Sequence, residues 1–320
     1  MEIIKKFSVL LLLGVLSIFL IACGEEEETS NNGNETNDSE TFTLGVTHYS
    51  MQNEFPVLVS DAQERIADEQ GAEIEFYDGD YDPATQLSQF ENMISQGVDA
   101  IIFSPTDAEA MAGAVEMADN ANIPVFGVNT KVESDLLTSY IGSNDVEAGE
   151  IEMQWMADEL DGEGNIVILE GPLGSSPQIQ RKEGIYNILE NYPDINVLAE
   201  QTGNWSRSEG LSLMENWLQA FPDEIDGVVS QNDEMALGAI NALEDAGIKD
   251  DVPVVGVDAI SDALDAVDEG RLNATTFQNA VKQGEESVEV ALKYLKGESV
   301  EEEYMIPFEL VTPDNLDEFK

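Results

Sequence analysis

The sequence predicts an α/β protein of two similar lobes, each a parallel sheet flanked by helices. Three observations predict it. Short β-branched or aromatic runs alternate with longer segments of helical periodicity, which calls for right-handed βαβ units. The alternation runs through residues 42–128 and restarts after residue 160. Polar side chains recur where strands give way to helices, the edge at which open parallel sheets place ligands.

In the first lobe, strands are expected at 42–47, 73–77, 100–103 and 125–128, with helices at 55–69, 83–95 and 108–121. Val59, Ala62, Ile66 and Ala67 form the inward side of the first helix, and Leu87, Phe90 and Ile94 that of the second. Pro83 suits a first helical turn. The strands end at His48 and Tyr49, Asp78, Ser104 and Thr106, and Asn129 and Thr130, a polar rim along one edge. Asp78-Gly79-Asp80-Tyr81-Asp82 looks like the start of a calcium loop. A twelfth-position Glu is replaced by Gln89, so a strand-to-helix loop is expected instead.

A strand at 138–141 and a helix at 146–160 lead into the second series. It has strands at 165–169, 196–200, 254–257 and 274–277, and helices at 178–190, 208–221 and 262–269; a helix at 280–295 follows the series. Within it, Val228-Val229 reads as a buried strand, followed by Ser230-Gln231-Asn232. Asp233 is placed to cap a helix whose apolar side carries Met235, Leu237, Ile240 and Leu243.

The chain has 320 residues, 42% of them apolar, enough for two cored lobes. Sixty-six acids against 13 Lys and Arg give a formal charge of −53. Such a surface repels nucleic acid. It suits high salt or high pH, and predicts a fold that weakens as salt is withdrawn; a salt-indifferent melting point would refute this. One Cys and one His exclude a disulfide framework and a Cys/His metal cluster. Lys5 and Lys6 precede an apolar stretch over residues 7–22, shorter than a membrane span. Residues 24–40 contain no aliphatic or aromatic side chain, so they are expected to form a solvated acidic tether.

The run Asp226 to Gly238 resembles the strand-to-helix junction of type I periplasmic sugar-binding proteins, the ribose-binding branch in particular. The resemblance extends over residues 41–312. It implies a hinge of three strands between the lobes, with an N-terminal lobe of residues 41–143 plus 279–307 and a C-terminal lobe of 144–278 plus 308–320. Leu20-Ile21-Ala22-Cys23-Gly24 resembles a bacterial lipobox. That implies a signal peptide over 1–22, lipid on Cys23, and export to the outer face of the cytoplasmic membrane. The alternative is an uncleaved anchor with an incidental Cys.

The resemblance also implies site residues. Gln52-Asn53-Glu54-Phe55-Pro56 is similar to a family loop that gives Asn53 hydrogen bonds and Phe55 a ring face, helix-start packing being the alternative for Phe55. Asn204-Trp205-Ser206-Arg207 resembles another such segment. Trp205 would supply a flat apolar face to a sugar ring, or else pack in the core as Trp155 and Trp217 are expected to. Asn232, Asp258 and Gln278 complete the polar set, Asp258 as an acceptor for adjacent hydroxyls. Asn129, Thr130 and Ile179 match family positions that hold an aspartate and two arginines, with Gln178 offering compensating amide contacts. The loss of both arginines puts ribose in doubt, and no cluster of Arg or Lys aims at the cleft, which disfavours a phosphorylated or acidic sugar.

The expected ligand is a neutral sugar or polyol, delivered to the permease of an ABC transporter by a monomer without cofactor or metal. Presentation to a membrane sensor is the alternative. An enzyme is disfavoured because His48, the only histidine, has no evident partner, though a carboxylate pair stays open. Regulators of the lactose-repressor type share the architecture but carry an N-terminal helix-turn-helix, where this chain has a leader and a tether.

Overall fold

The computed structural model describes Thr41–Lys320. The leader, Cys23 and the tether fall outside the described residues. Two six-stranded sheets organise the chain. The first contains β1 (Thr43–His48), β2 (Glu73–Asp78), β3 (Ala100–Phe103), β4 (Val125–Val128), β5 (Ser139–Gly142) and β11 (Glu303–Met305), in the order β11-β5-β4-β3-β1-β2. All its pairings are parallel. The second contains β6 (Glu163–Glu170), β7 (Asp194–Thr202), β8 (Gly227–Ser230), β9 (Val254–Asp258), β10 (Ala274–Phe277) and β12 (Glu309–Val311), in the order β12-β10-β9-β8-β6-β7. Only β12 runs antiparallel, against β10. The two orders match strand for strand, so each lobe has its switch point at equivalent places, β1/β3 and β6/β8. The carboxyl edge there is open to a ligand.

The central strands are buried on both faces. Ile101, Ile102 and Phe103 of β3, and Val228 and Val229 of β8, are wholly inaccessible, as expected of parallel strands covered by helices. In the first lobe α1 (Glu54–Gln70) packs on α9 (Ala280–Leu295). A Cβ at Gly284 would lie 2.4 Å from the Val59 carbonyl oxygen, so the two helices approach backbone to backbone. Between them lies a buried polar chain: the His48 ring bonds the Gln63 side chain at 2.9 Å, and Gln63 donates to Ser287 Oγ at 3.0 Å. The helix α2 (Pro83–Gln96) is capped by Asp82, which accepts from the Ala84 N–H, and stops at Gly97 in the left-handed region. Phe90 of α2 meets Phe103 edge to face at 5.0 Å. Asp78, far from marking a calcium loop, accepts the Asp80 and Met51 amides.

In the second lobe α4 (Asp145–Glu159) and α5 (Ser176–Leu189) pack through glycines. A Cβ at Gly149 or Gly184 would come within 2.0 Å of a carbonyl oxygen on the facing helix. This approach fixes where α5 presents Arg181. Helices α6 (Arg207–Ala220), α7 (Asp233–Ala246) and α8 (Ser261–Asp268) complete the lobe.

Three short segments carry the chain between sheets: from β5 into α4, from β10 into α9, and from β11 to β12. The third runs through Ile306-Pro307-Phe308. Its flanking strands are absent from the sequence reading because three residues carry too little periodicity to register. The helix expected at 108–121 is shorter, α3 (Ala112–Asn120), because residues 105–111 form a loop against the second lobe. There the Ala108 amide donates to the Gly174 carbonyl at 3.0 Å.

Candidate functional site

The carboxyl edges of the two sheets face each other across a narrow cavity. The first lobe lines it with Tyr49, Asn53, Phe55, Pro56, Asn129 and Thr130. The second contributes Pro177, Arg181, Trp205, Asn232, Glu234, Asp258 and Ile260, and Gln278 joins from a crossing segment. Phe55, Trp205, Asn232 and Asp258 therefore share one cavity, although they stand on four separate loops or helix starts.

Each side chain is held by its local structure. The Asn53 amide donates to Tyr81 Oη at 3.1 Å and, across the cleft, to the Trp205 carbonyl at 3.0 Å. Trp205 follows Asn204, and both have positive φ (57° and 52°). This turn lays the indole over Gly171, where a Cβ would sit 2.0 Å from the ring. No other residue at 171 leaves room for that ring. Asn232 is the true cap of α7: its side-chain oxygen accepts the Met235 N–H at 3.0 Å. That corrects the expectation for Asp233, which lies in the first turn and is wholly buried. Asp233 accepts from Thr275 Oγ1 at 2.7 Å and the Ile260 amide at 3.1 Å. Burial pushes its carboxyl up to about 7. With the Asn232 oxygen used in the cap, its amide N–H groups remain for the cavity.

Asp258 is 8% exposed and has φ of 123°, a sparsely populated region for a residue with a Cβ. Its carboxylate has no hydrogen-bond partner among the described residues. Burial raises its pKa well above the usual range, Arg181 opposes that shift, and Asp233 adds to it. Asn129 is also at positive φ (64°). Strained backbone at Asn129, Trp205 and Asp258 thus collects around one cavity. Thr130 contributes less than expected, since its hydroxyl is spent on the Pro105 carbonyl at 3.0 Å.

Two expected site residues lie elsewhere. Ile179 is 48% exposed and does not line the cavity. Gln178 is buried, but its amide turns to Glu170 at 3.2 Å and its carbonyl accepts from Gln231. Ile179 sits on the exposed side of α5, whereas Gln178 sits on its buried side with its amide spent on Glu170.

The cation that the sequence reading did not expect is Arg181, 3% exposed. Its Nε donates to Asp145 Oδ1 at 2.9 Å, Nη2 to Gln278 Oε1 at 3.1 Å, and Nη1 to the Gln231 carbonyl. Its guanidinium carbon lies 5.7 Å from the Trp205 ring centroid and 5.9 Å from that of Phe308. Arg181 ties together α4, the end of β8 and two crossing segments, and presents a planar face beside the indole. Gln278, with its oxygen engaged by Arg181, has a buried Nε2 without a partner among the described residues. Tyr49, Pro56, Pro177, Glu234 and Ile260 were also missed as lining residues. Tyr49 could have been found, since it stands on the polar rim directly after β1.

Chemically, the cavity offers apolar faces in Phe55 and Trp205, donors in Asn232 and Gln278, and an acceptor in Asp258. Arg181 is saturated largely by protein groups, which leaves little net cationic pull. Among the described residues no cluster of His, Cys, Asp and Glu could hold a metal ion.

A family model described as a periplasmic binding protein domain matches residues 44–299. The chain is 40% identical over 317 residues to a xylitol-binding protein of Mycolicibacterium smegmatis, covering 99% of this chain and 88% of that protein. It is 36% identical over 269 residues to the ribose import binding protein of Escherichia coli, covering 84% and 90%. Among solved structures, an ABC transporter solute binding protein from Bacillus halodurans with bound myo-inositol superposes with a TM-score of 0.85 at 43% identity, covering 89% of this chain and 99% of that one. The fructose binding periplasmic domain of a hybrid two component system gives 0.83 at 29% identity, covering 87% and 93%.

Proposed function

The chain belongs to the periplasmic binding protein family, and we propose its function from that premise. It is a sugar- or polyol-binding protein of an ABC transporter, acting outside the cytoplasm, and it carries its solute without transforming it. The observation that carries this reading is the convergence of Phe55 from one lobe with Trp205, Asn232 and Asp258 from the other on a single cavity. A hydroxyl-bearing ring has apolar C–H faces for the two aromatic rings. Its edge hydroxyls can donate to Asp258 and accept from Asn232 and Gln278. The relatives named for xylitol, ribose and myo-inositol support a neutral polyol.

Ligand roles follow for Asn53, Phe55, Asn129, Trp205, Asn232, Asp258 and Gln278, with Arg181 added. Thr130 takes a supporting place in the wall. With Arg181 in the cleft, ribose stands again among the candidate ligands. In the finer reading the protein is a monomer, held on the outer face of the membrane by lipid on Cys23 and kept off the anionic surface by the acidic tether. Presentation of the loaded lobes to a sensor is the second reading, favoured by the likeness to the two component system domain.

A thermal-shift screen against xylitol, myo-inositol, ribose, other pentoses and hexoses tests the proposal. A ligand at 100 times its Kd should add about 2.7 kcal/mol of stability. A panel in which no polyol or sugar moves the melting point would refute it.

A further inference from the structure

The lobes touch at the cavity mouth through a contact that ligand binding does not itself require. Glu54 of the first lobe accepts two hydrogen bonds from Ser261 of the second. The Ser261 amide reaches Oε1 at 2.9 Å and the Ser261 hydroxyl reaches Oε2 at 2.9 Å. Both carboxylate oxygens are engaged by one residue, so the contact fixes orientation as well as distance. The amide is the first N–H of α8, which has no partner inside its own helix.

Sequence neighbours connect this pair to the cavity. Glu54 stands between Asn53 and Phe55, and Ser261 follows Ile260; those three line the cavity. Neither segment can close on a ligand without bringing the carboxylate and the serine together. The approach is otherwise opposed by charge, since the chain carries a net −53 and Asp262 adjoins Ser261. Arg207 answers that locally: its Nη1 lies 2.8 Å from Asp262 and its Nε 2.7 Å from Glu234. The opposite lip is joined by the Lys131 amide donating to Ser176 Oγ at 2.7 Å, besides the Ala108 to Gly174 bond.

We propose that Glu54 and Ser261 are positioning residues that latch the two lobes across the cavity mouth and set how fast a bound ligand escapes. The proposal rests on the polyol-binding reading of the cavity. The latch breaks whenever the lobes part, so it opposes opening far more than it assists encounter.

Competitor-chase kinetics on the wild type, Ser261→Ala, Glu54→Ala and the double variant test it. Ser261→Ala, which leaves the amide bond in place, should speed ligand release about tenfold, the worth of one hydrogen bond to a charged group at a partly exposed site, and Glu54→Ala, which loses both bonds, should speed it more, with the association rate little changed in either. The double variant should be no faster than Glu54→Ala, because that change already removes both bonds. Glu54→Gln, which keeps an acceptor oxygen, should recover part of the loss. Unchanged release rates, or effects that multiply in the double variant, would overturn the latch. Should the wild type bind no polyol, the reading of the cavity fails, and the latch is then judged by small-angle scattering. A larger radius of gyration for Ser261→Ala than for wild type would sustain it, and equal radii would overturn it.

Discussion

Replacing Arg181 by Met tests whether the cleft is built around a buried ion pair. The guanidinium is 3% exposed and Asp145 2%, and they meet at 2.9 Å. Met keeps most of the volume but removes the donors to Asp145, Gln278 and the Gln231 carbonyl. Burial already pushes the Asp145 carboxyl upward, and Arg181 is what opposes that shift. Without Arg181 the acid stands uncompensated in the interior, which costs about 3–5 kcal/mol. That is a large share of a total stability of roughly 5–15 kcal/mol. In urea denaturation at pH 7, Arg181→Met should therefore lose about 3–5 kcal/mol relative to wild type. Removing the orphaned charge as well, in Arg181→Met/Asp145→Asn, should recover a substantial part. The sign with pH follows. In the single variant the Asp145 pKa is raised above its unfolded value, so the loss is present at neutral pH and shrinks as pH falls toward that unfolded value. A loss under about 1 kcal/mol, or a double variant as damaged as the sum of the singles, would refute the reasoning.

Other expectations follow from the same geometry. Trp205→Ala should weaken ligand binding by about 2 kcal/mol or more, read by calorimetric titration; an unchanged affinity would remove the indole from the site. His48 is buried and its pKa is lowered to about 4 by desolvation, with Gln63 and Asp78 opposing. The unfolded chain then binds more protons between pH 4 and 6.5, so stability should rise with pH across that window by a total of about 3 kcal/mol. The single imidazole signal in NMR should titrate near its lower end, and an ordinary midpoint would contradict the buried chain to Ser287. Glu152 is wholly buried with neither oxygen partnered among the described residues, and burial raises its pKa well above the usual range. Glu152→Met should stabilise the fold at pH 7 by about 1–3 kcal/mol, with the gain growing as pH rises above the unfolded carboxyl value. Destabilisation would mean that the two oxygens serve a buried partner.

Much of this architecture was legible because strand burial and helix periodicity are local signals. Val228-Val229 and Val254-Val255 announce buried strands by composition alone, and the polar residues that follow them fall on the carboxyl edge by topology. Trp205 and Phe55 were legible through their family loops, and Asn129, Asn232 and Asp258 through the strand ends they extend. Arg181 was not, because it reaches the cleft from the second turn of a helix, where no strand end points to it. A signal existed: among only 13 basic residues, an Arg near a helix N-terminus opposes the helix dipole and requires a specific anionic partner. The error at Ile179 has the same root, since two positions along α5 turn a side chain from the cleft to solvent. Asp233 and Asn232 are both good caps by type, and only the Thr275 hydroxyl and the Ile260 amide decide which of them turns inward.

The central claim is that the two carboxyl edges enclose a neutral polyol. A crystal structure grown with the strongest hit of the ligand screen tests it most directly. The account predicts a polyol between the Phe55 and Trp205 rings, with hydroxyls on Asp258 and Asn232. A ligand bound at any other face of the molecule, with this cavity closed to it, would contradict the account.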